Sequence, residues 1–66
     1  MDNKKLTAGE RLRSLRGSRS QEEVAEAIGI SQASYSAYEN GLRTPRDDVK
    51  VRIADYYNRT VGFIFF

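Results

Sequence analysis

The stretch SQEEVAEAIGISQASYSAYENG, from Ser20 to Gly41, constrains this chain more than any other. Ser20 and Glu23 stand at the S-x-x-E spacing of a capping box, which predicts a helix from Gln21. Val24, Ala25 and Ile28 fall on one face of that helix. Gly29 follows at once, where a helix C-terminus needs a residue that tolerates a left-handed backbone. Ile30 is the apolar turn residue expected to fold back on the core. Ser31 can cap a second helix, Gln32 to about Asn40, with Tyr35 and Tyr38 facing inward. Asn40 and Gly41, both at ease with positive φ, end it. The rest of the chain reads as support for this pair of short helices.

The same signals organise the flanks. Thr7 with Glu10 forms another capping-box pattern, predicting a first helix from about Ala8 to Arg16. Leu12 and Leu15 are its core contacts, with Arg11 and Arg13 outward, and Gly17-Ser18 stops it. Pro45 bars any helix through residues 42–46. Asp47 and Asp48 suit the N-terminus of a fourth helix running to about Tyr57, whose stripe is Val49, Ile53, Ala54 and either Tyr56 or Tyr57. Asn58 ends it. Thr60 can cap a last turn, Val61 to Phe65. The expected fold is an all-α compact bundle of five short helices, about 8–16, 21–28, 32–40, 47–57 and 61–65, forming one domain over residues 1–66. VGFIFF alone has strand-like composition, and no strand-length alternating run, repeat or linker interrupts the pattern.

Composition narrows the chemistry. A chain of 66 residues buries only about 60% of the surface that its unfolded form exposes. It has no Cys and no His, which removes disulfides, thiolate metal sites and the usual imidazole ligand. The carboxylates are spread over capping and exposed positions, and no glycine-rich phosphate loop is present. Catalysis, a bound metal, a cofactor and a small-molecule substrate are therefore not expected. No run has the length of a membrane-spanning helix and no signal-peptide core follows Met1, so no membrane partner is expected and the cytoplasm is the default location. The formal net charge is only +2, but six basic residues (Lys4, Lys5, Arg11, Arg13, Arg16, Arg19) stand against one acid, Glu10, between positions 4 and 19. That local balance of +5 suits a basic face presented to a polyanion, although patchy charge is also common on small domains.

Two helices joined by a short glycine-containing turn make the helix-turn-helix plan, whose second helix enters the DNA major groove. The residues that make it also resemble the Cro/phage-repressor (Xre-like, lambda-repressor-like) type of helix-turn-helix domain. In that family Q-E-E-hydrophobic-A, I-G-hydrophobic-S and E-N-G recur at these spacings, and the similarity runs from about Leu6 to Phe65. One departure is a connection between the first two helices, LRSLRGSRSQEE, that is shorter than in many relatives.

The resemblance implies a transcriptional regulator of double-stranded DNA, most simply a repressor that binds a pseudo-palindromic operator as a homodimer. With Tyr35 and Tyr38 inward, Gln32, Ala33, Ser36 and Ala37 are left toward the groove as candidate base contacts. Gln suits bidentate pairing with adenine and an Ala methyl can meet a thymine methyl, whereas Ser36 both donates and accepts and so reads sequence weakly. Such a face carries few base hydrogen bonds, which leaves specificity to dimer spacing and DNA deformability. Ser31 and Ser34 are placed for phosphates. The family assigns a phosphate contact to Gln21 and runs the loop after the recognition helix along the DNA backbone, here Asn40, Arg43 and Arg46. Arg13 and Arg19 are further phosphate candidates. Arg16 and Glu39 match a pair that links the first helix to the end of the recognition helix by a structural salt bridge. At the C-terminus, Phe63 and Phe66, with Tyr56, either form a dimer contact or complete the core. The rival reading is a protein-interaction module, of antitoxin or anti-repressor type, on the same scaffold.

Overall fold

The computed structural model describes residues 6–66, so Lys4 and Lys5 lie outside the described residues. Five helices follow in order: α1 Ala8–Arg16, α2 Gln21–Ile28, α3 Gln32–Glu39, α4 Asp47–Tyr57 and α5 Val61–Phe65. There is no strand among the described residues. α3 packs against α1 and α2, α4 lies on α2, and α5 closes the bundle between α4 and α1.

Each start is set by a local hydroxyl or charge. Thr7 makes both halves of its capping box, accepting from the Glu10 N–H at 3.1 Å while its own N–H donates to the Glu10 carboxylate at 2.8 Å. Ser20 makes the forward half, accepting from the Glu23 N–H at 3.0 Å. Ser31 and Thr60 accept from Ser34 and Phe63 in the same way. Arg46 precedes α4 with no side-chain cap, and Asp47 and Asp48 supply the negative charge that its N-terminus favours.

The ends share a second device. Gly29 adopts φ 92°, and the N–H groups of Gly29 and Ile30 both reach the Ala25 carbonyl, at 2.8 and 3.0 Å. At the end of α3 the left-handed residue is Gly41 (φ 73°), while Asn40 stays at φ −89° as the cap. Leu42 N–H then bonds Ala37 O and Gly41 N–H bonds Tyr38 O, the paired bonds of a Schellman end. Asn58, at φ 56°, ends α4 likewise, with Arg59 N–H on Ala54 O.

The five largest fully buried side chains among the described residues are Leu12, Val24, Tyr35, Ile53 and Ile64, one from each helix. Burying such a side chain is worth about 1.5–3 kcal/mol, so every helix is tied to the same core by one anchor. Tyr57 rather than Tyr56 completes the α4 stripe, and Leu15 is only partly buried. The Tyr35 and Tyr57 hydroxyls meet at 2.6 Å inside the core, with the Leu12 carbonyl 3.5 Å from Tyr35. α5 is helical despite its β-branched and aromatic composition because Thr60 starts it and Ile64 anchors it. Arg11, expected to point outward, donates Nη1 to the Ile64 carbonyl at 3.0 Å and satisfies the end of that helix.

Candidate nucleic-acid interface

α3 turns Tyr35, Tyr38 and Glu39 into the protein and leaves Gln32 and Ala33 exposed, with Ser36 and Ala37 half-buried beside them. The exposed part of this helix carries no charge. Its sole ionisable acid, Glu39, has a side chain with 0% exposure, and it takes a hydrogen bond from Arg16 Nε at 2.6 Å. Arg16 Nη2 donates to the other carboxylate oxygen at 3.2 Å, Gln21 Nε2 joins it at 3.0 Å, and Arg13 Nε lies 3.8 Å away. Burial pushes the Glu39 carboxyl up, but the bonds from Arg16 and Gln21 outweigh it and hold the group below its usual range. The same hydrogen bond to Glu39 raises the Arg16 guanidinium. Arg16 Nη1 also bonds the Arg19 carbonyl at 2.7 Å, so one guanidinium ties the end of α1, the α1–α2 turn and the end of α3 together. This joint orients α3 on the bundle.

Donors and cations stand around the uncharged helix. Gln21 and Arg13 gather at Glu39, with Asn40 beside Arg13. Arg13 Nη2 donates to Asn40 Oδ1 at 3.0 Å, and Asn40 Nδ2 donates to Ser36 Oγ at 3.2 Å. Gln21 uses one amide hydrogen on Glu39, which pins its side chain at the start of α2. A cleft of about 470 Å³ opens between α3, the glycine turn and α4, lined by Ser31, Ser34, Arg43, Thr44, Arg46 and Arg52, and Arg43 and Thr44 also line a second cleft with Arg13 and Asn40. The Ser31 hydroxyl donates to Ser34 Oγ at 3.0 Å. Arg43 lies 6.0 Å from the Tyr38 ring centre, and Arg46 is 3.7 Å from Asp48 on an exposed surface.

Arg52 is a residue that sequence reasoning missed. Position 52 sits on the outward side of the α4 stripe and carries no motif. Only the packing of α4 beside the glycine turn brings its Nη1 to 3.6 Å from where a Cβ on Gly29 would stand. It has no ion pair among the described residues.

Other sequence candidates are drawn elsewhere. Arg19, expected at a phosphate, turns inward: Nε bonds Arg16 O at 3.1 Å, Nη2 bonds Leu15 O at 2.8 Å and Nη1 bonds the Tyr56 hydroxyl at 2.9 Å. Its guanidinium also lies 5.2 and 5.4 Å from the Tyr56 and Tyr57 ring centres. The cause is local: the last carbonyls of α1 have no partners within the helix, and Arg19, three residues past its end, reaches two of them. Tyr56 is thereby held to Arg19 and to Tyr57, at 5.0 Å between rings, rather than grouped with Phe63 and Phe66. Those two phenylalanines are 57% and 82% exposed, while Phe65 packs partly on the core.

A half-buried helix turned outward beside a fixed partner helix, held by a glycine turn, defines a helix-turn-helix protein. This chain belongs to the helix-turn-helix family, whose sequence pattern matches residues 12–64. It is 39% identical over 49 residues to the cryptic phage CTXphi transcriptional repressor RstR of Vibrio cholerae. That similarity covers 71% of this chain and 44% of RstR, so the chain spans less than half the length of that relative. Its fold is also that of the P22 c2 repressor, solved in complex with synthetic operator 9T in the presence of Tl+. The two superpose with a TM-score of 0.87 at 17% identity, over 92% of this chain and 96% of the other, which is a likeness of fold. Among the described residues, no helix is long and apolar enough to cross a membrane, and no group of three or more His, Cys, Asp or Glu could hold a metal ion.

Proposed function

We propose that this chain is a sequence-specific DNA-binding transcription regulator, a repressor that occupies a pseudo-palindromic operator as a homodimer and works in the cytoplasm by binding rather than catalysis. The observation that carries this reading is the uncharged outer face of α3 with donors and cations around it. A major groove offers base edges between walls of phosphate, which suits such a face. Gln32, Ala33, Ser36 and Ala37 meet the bases. Gln21, Asn40, Arg13, Ser31, Ser34, Arg43, Arg46 and Arg52 take phosphates. Arg16 and Glu39 hold α3 in place, and Arg19 fastens α1 to α4. Repression follows the activity named for RstR: an occupied operator near a promoter excludes polymerase or a competing regulator.

The exposed Phe63 and Phe66 side chains support a two-fold contact between copies. Two copies related in this way place their α3 helices in successive major grooves, about one turn apart. Selection of bound sequences from a random duplex library tests the whole reading. A symmetric site with half-sites about 10 base pairs apart is the expected result. Unselective binding that vanishes with rising salt would leave only non-specific electrostatics. A monomer at high concentration in sedimentation experiments would remove the Phe63–Phe66 contact.

A further inference from the structure

Serine is an ambiguous reader of DNA, since its hydroxyl both donates and accepts. In this fold two neighbours bias Ser36 toward donation, by occupying one of its two lone pairs and leaving its hydrogen free. Arg13 has only donors, so the Asn40 atom 3.0 Å from its Nη2 is the amide oxygen. That fixes the amide plane and turns Nδ2, which only donates, toward Ser36 Oγ at 3.2 Å. Ser36 Oγ is therefore an acceptor on its protein side. Its hydrogen is not used there, and Oγ has no other partner among the described residues. Arg13 is steadied in turn by the buried Glu39 carboxylate, 3.8 Å from its Nε. The chain Glu39–Arg13–Asn40–Ser36 thus runs from a buried charge to the outer face of α3.

We infer that Ser36 reads its base pair as a hydrogen-bond donor, with Asn40 and Arg13 as the positioning residues that favour this polarity. The inference rests on the DNA-binding reading above and adds a rule to it. In the major groove guanine offers N7 and O6, adenine N7 and thymine O4 as acceptors, whereas cytosine offers only its N4 amino donor. Cytosine is the base that Ser36 disfavours.

The test is sequence selection on the 66-residue chain and three variants, with circular dichroism confirming that each is folded. For the unaltered chain, cytosine is depleted about fivefold at one position of each half-site, the scale of a single hydrogen bond. Ser36→Ala relaxes that position alone. Arg13→Met lets the amide rotate and relaxes the same position without inverting it. Asn40→Asp replaces the donor by a carboxylate that only accepts, so Ser36 gives it the hydrogen and turns lone pairs to the groove. The preference at that position then moves toward cytosine or adenine, which present amino donors. The added negative charge weakens binding to all sequences alike, which leaves the relative preference readable. An unchanged preference in Asn40→Asp, or cytosine favoured by the unaltered chain where Ser36→Ala acts, overturns the inference and leaves sequence-specific binding standing. If the unaltered chain enriches no sequence, the regulator reading fails and this one falls with it.

Discussion

Arg16→Met is the perturbation whose size follows most directly from the structure. It removes the 2.6 and 3.2 Å bonds to Glu39 and the 2.7 Å bond to the Arg19 carbonyl, and leaves a carboxylate with no exposed surface. Gln21 at 3.0 Å and Arg13 at 3.8 Å remain, too little to solvate a full charge. The variant escapes by protonating Glu39, which at pH 7 costs about 3.7 kcal/mol for a carboxyl with a reference pKa of about 4.3. Breaking one side of a buried ion pair costs about 3–5 kcal/mol, in agreement with that ceiling. A domain of this size has about 3–10 kcal/mol of stability in total, so Arg16→Met consumes a large part of it. Urea denaturation at pH 7 should show a loss of about 3–4 kcal/mol, and Tm should fall by about 12–30 °C.

The pH dependence identifies the cause. In the unaltered protein Glu39 is held below its ordinary value, so its contribution is present above the unfolded value and lost as pH falls through the folded one. Without Arg16 burial dominates and raises the folded value, so the variant gains stability as pH falls from 7 toward 4.5. The gap between the two proteins therefore narrows in mild acid. Arg16→Met with Glu39→Leu, which removes both charges, should recover most of the loss. A loss under about 1 kcal/mol, the worth of an exposed pair, or a gap that does not change with pH, would refute the reasoning.

Three other outcomes are expected. A Cβ at position 9 would collide with the Glu39 carbonyl oxygen, a backbone atom that cannot swing aside, so Gly9→Ala should cost about 1–3 kcal/mol in urea denaturation despite alanine's better helix propensity; an unchanged or raised midpoint would mean α1 and α3 are not in such close contact. Arg52→Ala should reduce the slope of log K against log salt by about 1 without changing the preferred sequence, whereas an unchanged slope would remove Arg52 from the interface. Burial pushes both the Tyr35 and Tyr57 hydroxyls up from 10.0. The stability that their neutral forms contribute is full below about pH 10 and is lost as pH rises toward the folded values. Replacing both by Phe should flatten alkaline unfolding followed by circular dichroism, and an identical alkaline limb would show that other groups drive it.

The helical class, the cap residues and the outward face of α3 are all legible in the sequence alone. Those signals act within one or two turns: Thr7 on Glu10, Ser31 on Ser34, Gly29 on Ala25, and apolar residues at helical spacing. The Arg16–Glu39 joint lies 23 positions apart and was legible only because a family motif carries both ends. Tertiary structure alone decided the rest, because it depends on which helices meet. Gly9 has no turn to make, and its need for a bare backbone comes from the α3 carbonyls pressed against it. Arg19 spans 37 positions to Tyr56 and Arg11 spans 53 to the Ile64 carbonyl, so neither can be told from a solvated arginine in the sequence. The polarity of Ser36 needs Arg13 from α1 to turn an amide at the end of α3. A hydroxyl's own chemistry leaves its direction open; only the neighbours that packing supplies can choose it.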